Sequence, residues 1–265
     1  MEARVVRISI APVKSLGLVH PDEVLLEQGG VRGNRRFWLV DEDGRLFNAK
    51  RHGPLVRVRP DWDEETGRLS LAFPDGRRVE GIVELGGALE PRLHKHPHPS
   101  RRVLGPWQAA LSDYAGRPLT LLWSEAHALD RCFGGGTVSL VSRASLERLR
   151  HEAGVDAPVD GRRFRMLLEI DGVGAHQEDE WLGTHVQVGE ATIVPTGDVG
   201  RCVTTTYGPD TGVTDLDTLG ALAAYRRDGQ TEPLPFGVYG RVEVPGRVRV
   251  GDPVRSAPDR LRAAT

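Results

Sequence analysis

Only two of the 265 residues are cysteines, Cys132 and Cys202, and a thiolate is both a strong nucleophile and a ligand for soft metals. Cys202 stands in GDVGRCVTTT, directly behind Arg201 and ahead of three threonines. A guanidinium and loop amides beside a thiol favour the thiolate, so Cys202 is the leading candidate for chemistry. Cys132 lies in DRCFGGGTVSL, where Gly134-Gly135-Gly136 is followed by no Lys-Ser/Thr pair. A phosphate loop is therefore not supported there, and a loop bordering the site is expected. Of the 35 basic residues only Lys14, Lys50 and Lys95 are lysines. Where arginine is the default cation, a lysine calls for a reason, and Lys14 in APVKSL is the first to ask about. His94, His96 and His98 alternate as zinc ligands on one side of a strand would, but Pro97 and Pro99 interrupt any strand, so zinc is not expected. Glu178-Asp179-Glu180 reads as a solvated acidic run.

The elements that must position these residues are mostly short strands. ARVVRISI (3–10) and DEVLLE (22–27) alternate as strands do, and 36–50 and 68–84 read as hairpins turning on Asp43-Gly44 and Pro74-Asp75-Gly76. Trp107, Ala110, Leu111 and Tyr114 share a helical face. Strands are expected at 118–123, 137–141, 163–170, 185–194 (a hairpin at Gly189-Glu190), 201–206, 236–244 and 247–250. Ser142 or Ser145 caps a helix carrying Leu146, Leu149 and Ala153 and ending at Gly154, and a longer helix is expected at 215–228. Short strands at this spacing favour a mainly β protein, a barrel or a sandwich, with a few helices on the outside. The stretch 85–106 has neither period nor core and is the expected break, giving domains at 1–90 and 107–256.

Composition narrows the partners. A formal net charge of −2 gives no general attraction for nucleic acid or an acidic membrane. No apolar run reaches the roughly 20 residues of a membrane span, and the N-terminus lacks a signal-peptide stretch. Two cysteines are too few for a disulfide scaffold, so a reduced, cytoplasmic location is expected.

Six segments in order resemble the MOSC family and its N-terminal β-barrel partner domain: APVKSL (11–16), RRFWLVDEDG (35–44), LVSRASL (140–146), RRFRMLLEI (162–170), EDEW (178–181) and RCVTTTYGPDTG (201–212) with FGVYGRVEVPGRVRVGDPV (236–254) after it. The branch most resembled is the mitochondrial amidoxime reducing component and its bacterial relatives. The resemblance implies two β-barrel domains, an N-terminal MOSC-associated barrel and a MOSC barrel, and a molybdenum-cofactor oxidoreductase acting on N-hydroxylated or N-oxygenated small molecules by oxygen transfer at the metal. It implies Cys202 as molybdenum ligand and Lys14, Ser15, Arg36, Ser142, Arg165 and Arg201 as cofactor contacts, with Glu178–Glu180 bordering the pocket. It also admits a pyridoxal-phosphate-type ligand. No cysteine cluster of a ferredoxin module follows GDPV, so a separate electron-donor protein is implied. Arg165-Met166-Leu167 stands where the reductase branch reads Arg-Pro-Asn. Two other readings go with the same segments: a sulfur carrier holding a persulfide on Cys202 without metal, and a non-catalytic cofactor-binding barrel.

Overall fold

A computed structural model describes residues 2–93, 96–125 and 137–256. Cys132, Gly134–Gly136 and His94 lie outside the described residues. The chain is mainly β, with three α-helices among the described residues: α1 (Trp107–Ala115), α2 (Arg143–Glu152) and α3 (Thr218–Tyr225).

Seven strands form a nearly closed, barrel-like sheet in the order Arg4–Ile8, Leu168–Asp171, Val138–Ser142, Pro235–Val244, Ala191–Gly200, Val186–Val188, Val254–Ser256. Its pairings are antiparallel except Val138–Ser142 with Leu168–Asp171, which run parallel because α2 crosses between them. The edges nearly meet. Val5 N–H donates to the Asp252 carbonyl (2.9 Å) and Val254 N–H to that of Ala3 (2.8 Å). Alternation along these strands turns Val5, Ile8, Leu140, Leu168, Ile170, Ile193 and Val238 into one core.

The N-terminal part carries a five-stranded antiparallel sheet ordered Leu46–Phe47, Phe37–Asp41, Leu119–Ser124, Ser100–Leu104, Glu84–Leu89. Beside it lies the three-stranded Arg59–Asp63, Arg68–Ala72, Arg78–Ile82. Both expected hairpins form, at Asp41–Arg45 and Phe73–Arg77. The stretch 85–106 is not a loose break: Glu84–Leu89 pairs with Ser100–Leu104. Trp107, Leu111, Leu119 and Leu121 pack with Phe37, Leu39 and Leu69, so residues 107–124 join the first core rather than the second. Prolines and histidines masked the pairing, because the sheet needs only backbone groups from this stretch.

Three expected elements differ. Residues 161–164 are a 3₁₀ turn capped by Asp160, whose carboxylate accepts the Arg162 N–H (2.9 Å), and only Leu168–Asp171 is strand. Val203–Thr206 is also a 3₁₀ turn: the Thr205 hydroxyl donates to the Cys202 carbonyl (3.0 Å) and that of Thr206 to Val203 (2.8 Å). Threonines that bond back to the local backbone offer it an alternative to the ladder. Helix α3 is shorter than 215–228 because the Asp217 carboxylate caps it at Gly220 N–H (2.8 Å). At its other end Arg226, in a non-helical conformation, is drawn to Asp179 (2.6 Å) and the Pro235 carbonyl (3.0 Å).

Candidate functional site

Where the two parts meet, a cleft is lined by Lys14, Ser15, Arg35, Lys50, Arg165 and Cys202, and also by Asn48, Arg163, Arg201 and Thr204. Six of its lining residues are cationic and none carries a carboxylate, in a chain whose overall charge is close to balanced. Such a pocket favours an anion with several oxygens.

Cys202 is half-buried, unpaired, and caps the Val203–Thr206 turn from an extended conformation. Its Sγ lies 3.5 Å from the Thr204 hydroxyl. Three loops are bent to reach this place. Ser15, Arg35 and Arg165 have φ of 76°, 50° and 54°, three of the five non-glycine residues in the left-handed region among the described residues. Each such backbone costs about 1–3 kcal/mol and survives only where its surroundings enforce it. Here the enforcement is mutual: Arg165 donates to the Leu16 carbonyl (2.7 Å), and Arg35 donates to the Arg165 carbonyl (3.0 Å). The hydrogen bonds that join the two parts therefore also shape the cleft.

Lys14, Ser15, Arg165, Arg201 and Cys202 are thus brought together. Arg201 lines the cleft, but its guanidinium donates to the Phe164 carbonyl (2.9 Å), the Phe236 carbonyl (3.0 Å) and Met166 Sδ (2.9 Å). It holds the strand ends that present Cys202 rather than reaching for a ligand.

Arg36 and Ser142 are placed elsewhere. Neighbouring residues entering a strand face opposite sides, and the left-handed Arg35 is the one that turns to the cleft. Arg36 stacks on Trp123 (4.2 Å to the ring centre) in a separate hollow with Glu27, Glu64 and Glu125. Ser142 is wholly buried. Its hydroxyl accepts the Ser145 N–H (3.1 Å) to cap α2 and sits 2.7 Å from the Ser145 hydroxyl.

Of the acidic run only Glu180 is exposed. Glu178 is fully buried and accepts from the Ser145 hydroxyl (2.7 Å) and the Ser142 N–H (3.1 Å). Burial raises its pKa, outweighing those hydrogen bonds. Asp179 pairs with Arg226 (2.6 Å), yet burial still raises its pKa too. His176, with φ of 60°, lies 3.3 Å from the Tyr225 hydroxyl. Burial, aided by Arg226 and Arg148, lowers the His176 pKa to about 3, and burial lifts Tyr225 to about 12. This network ties α2 and α3 to the turn at Gln177–Trp181 and does not line the cleft.

Leu167, where the resemblance leads one to expect Asn, faces the barrel core, so its side chain takes nothing from the cleft lining. His98 is bonded to Ser124 (2.8 Å), and no cluster of three metal-ligating side chains occurs among the described residues.

Arg35, Asn48, Lys50 and Arg163 were not singled out from the sequence. For Lys50 a signal existed: it is one of three lysines, and the scarcity that points to Lys14 applies equally to it.

Comparison with known proteins agrees with this architecture. The MOSC N-terminal beta barrel domain matches residues 2–95 and the MOSC domain matches residues 130–255. The chain is 37% identical to the human mitochondrial amidoxime reducing component 2 over 94% of its own length and 82% of that protein. It is 28% identical to the mouse mitochondrial amidoxime-reducing component 1, over 94% of this chain and 81% of that one. A solved structure, the YuaD protein of Bacillus subtilis, aligns over 96% of this chain and 94% of that one at 13% identity and a TM-score of 0.44, too slight a likeness to argue from. Over nearly its whole length, therefore, this chain belongs to the MOSC family, with an N-terminal MOSC β-barrel, and is distantly related to the amidoxime-reducing components.

Proposed function

We propose that this protein binds molybdenum cofactor in the cleft, with Cys202 as metal ligand, and reduces N-hydroxylated or N-oxygenated small molecules. One observation carries the reading: a half-buried, unpaired thiol at a cleft with six cationic residues and no carboxylate. That donor set suits a soft metal on one side and a phosphate-bearing pterin on the other. When bound, the cofactor supplies two-electron chemistry: N-hydroxylated substrate, two electrons and two protons give the reduced compound and water.

The chain's own residues do the rest. Lys14, Ser15 and Lys50 supply donors from the N-terminal side. Arg201, spent on carbonyls of Phe164 and Phe236, fixes the backbone on which Cys202 is offered. Arg165 and Arg35 hold the two walls together, so the cleft exists before a ligand arrives. Electrons come from a separate donor protein.

The test is molybdenum and pterin content of protein produced in a host that makes the cofactor, for wild type and Cys202→Ser. Wild type should carry both and reduce benzamidoxime with a chemical electron donor. Metal-free wild type that gains a sulfur adduct on Cys202 from a cysteine desulfurase would replace the reductase by a sulfur carrier.

A further inference from the structure

Beside the Cys202 cleft lies a second hollow of about 320 Å³ that shares Thr204, Arg163 and Arg165 with it. Thr204 is the hydroxyl within 3.5 Å of Cys202 Sγ, so the two spaces adjoin at the candidate ligand. One wall is the turn Gly17–His20, held close because a Cβ at Gly17 would stand 2.9 Å from the Val58 carbonyl. The opposite wall is Tyr207–Asp210. Val19, Val56 and Tyr207 give the hollow apolar surface, which suits a flat organic group.

Its charges are uneven. Four arginines line it against a single carboxylate, Asp210. Three of the four are engaged: Arg162 by Asp160 and Asp210 (2.6 Å each), Arg163 by Asp215 (2.6 Å), and Arg165 by the Leu16 carbonyl (2.7 Å). The fourth, Arg59, is exposed and makes no ion pair among the described residues. Asp210, a carboxylate that feels its charge, already meets Arg162 with both oxygens.

His20 completes the lining. Its Nδ1 lies 3.2 Å from the Ile8 carbonyl and 3.1 Å from the Ser9 hydroxyl; the carbonyl can only accept, so the tautomer with the proton on Nδ1 satisfies it and leaves Nε2 as an acceptor. Burial lowers the His20 pKa and so disfavours the charged ring.

We propose that this hollow is the substrate compartment of the Cys202 site and that it selects small planar molecules bearing a carboxylate, with Arg59 meeting the carboxylate and His20 accepting from an N–H group. The inference rests on the reductase reading for the word substrate, but the preference itself is a property of the protein surface. It is therefore measured by binding. The purified full chain is titrated calorimetrically with benzamidoxime and with 4-carboxybenzamidoxime, as wild type, Arg59→Gln and Arg59→Lys. In wild type the carboxylated probe should bind about ten-fold tighter, the effect of one charge-assisted contact. Arg59→Gln should erase that preference without weakening the neutral probe, and Arg59→Lys should restore part of it. Equal binding of the two probes, or a preference that survives Arg59→Gln, overturns the proposal. Steady-state reduction of both probes separates the two claims: no turnover of either, with the binding preference intact, defeats the reductase reading and leaves the compartment standing as a carboxylate site.

Discussion

At the scale of single residues, the site depends on placing one thiol among several cations in a cleft whose lining holds no carboxylate. Cys202→Ser replaces a soft ligand by a hard one while leaving the turn it caps in place, because the cap uses its backbone carbonyl. We expect loss of bound molybdenum and of N-reduction with an unchanged thermal midpoint. Full turnover by metal-loaded Cys202→Ser would remove the ligand assignment. Lys14→Ala should weaken retention of the cofactor by about 1.5–3 kcal/mol, the worth of a hydrogen bond to a charged group. Lys14→Arg should rescue only in part, since its fork is longer and differently directed. Pterin content per chain after extensive dialysis checks both variants together.

Among the elements, α2 stands out because its cap is part of a buried polar network. Ser142 caps Ser145, the Ser145 hydroxyl is spent on Glu178, and His176 N–H donates to the Ser145 oxygen (2.8 Å). Ser145→Ala leaves the buried Glu178 oxygen short of a donor, a loss of about 1–3 kcal/mol read from denaturant unfolding. The nearby His176 makes a pH prediction with a definite sign. Its folded pKa of about 3 lies below the 6.5 of an ordinary imidazole, so between these values the unfolded chain binds more protons. Stability should therefore be full above pH 6.5 and fall on acidification, by about 2 kcal/mol from pH 6.5 to 4.5 for one such group. His176→Asn tolerates the left-handed backbone and should flatten that slope. Glu178 acts with the opposite sign, since its pKa is raised and its contribution is lost as pH rises through the folded value. An unchanged acid limb in His176→Asn would show that other groups govern it.

For the whole molecule, the decisive feature is how closely the two parts meet. A Cβ on Gly53, at the start of the first part's 3₁₀ turn, would stand 2.0 Å from the Gly212 carbonyl oxygen. Gly212, itself at φ of 69°, approaches the Gly53 carbonyl nearly as closely, and backbone cannot move aside as a side chain tip can. Gly53→Ala should therefore push the loop after Cys202 away from the N-terminal part, costing about 1–3 kcal/mol as overpacked sites do. Calorimetry should show a lower thermal midpoint, and the same variant should retain less cofactor because the cleft lies along this seam. A variant as stable as wild type would mean that the loop shifts freely and the seam is soft.

Local patterns carried a good part of this protein in the sequence itself. Alternating apolar residues and the Asp43-Gly44 and Pro74-Asp75-Gly76 turns specify hairpins through contacts a few residues apart, and they formed where expected. The order of six short segments was enough to indicate the family, and the rarity of lysine pointed at Lys14. What the linear pattern could not hold was direction. Whether Arg35 or Arg36 turns to the cleft depends on a left-handed backbone enforced by Arg165, 130 residues away. Ser142 and Glu178 look like ordinary polar residues until α2 and the 177–181 turn bury them against each other. The run of threonines after Cys202 has strand propensity, yet hydroxyl-to-backbone bonds wind it into the turn that presents the thiol. Short-range propensity thus chose most of the strands, while long-range packing decided which side chains face the site, because orientation is set by partners distant in the chain.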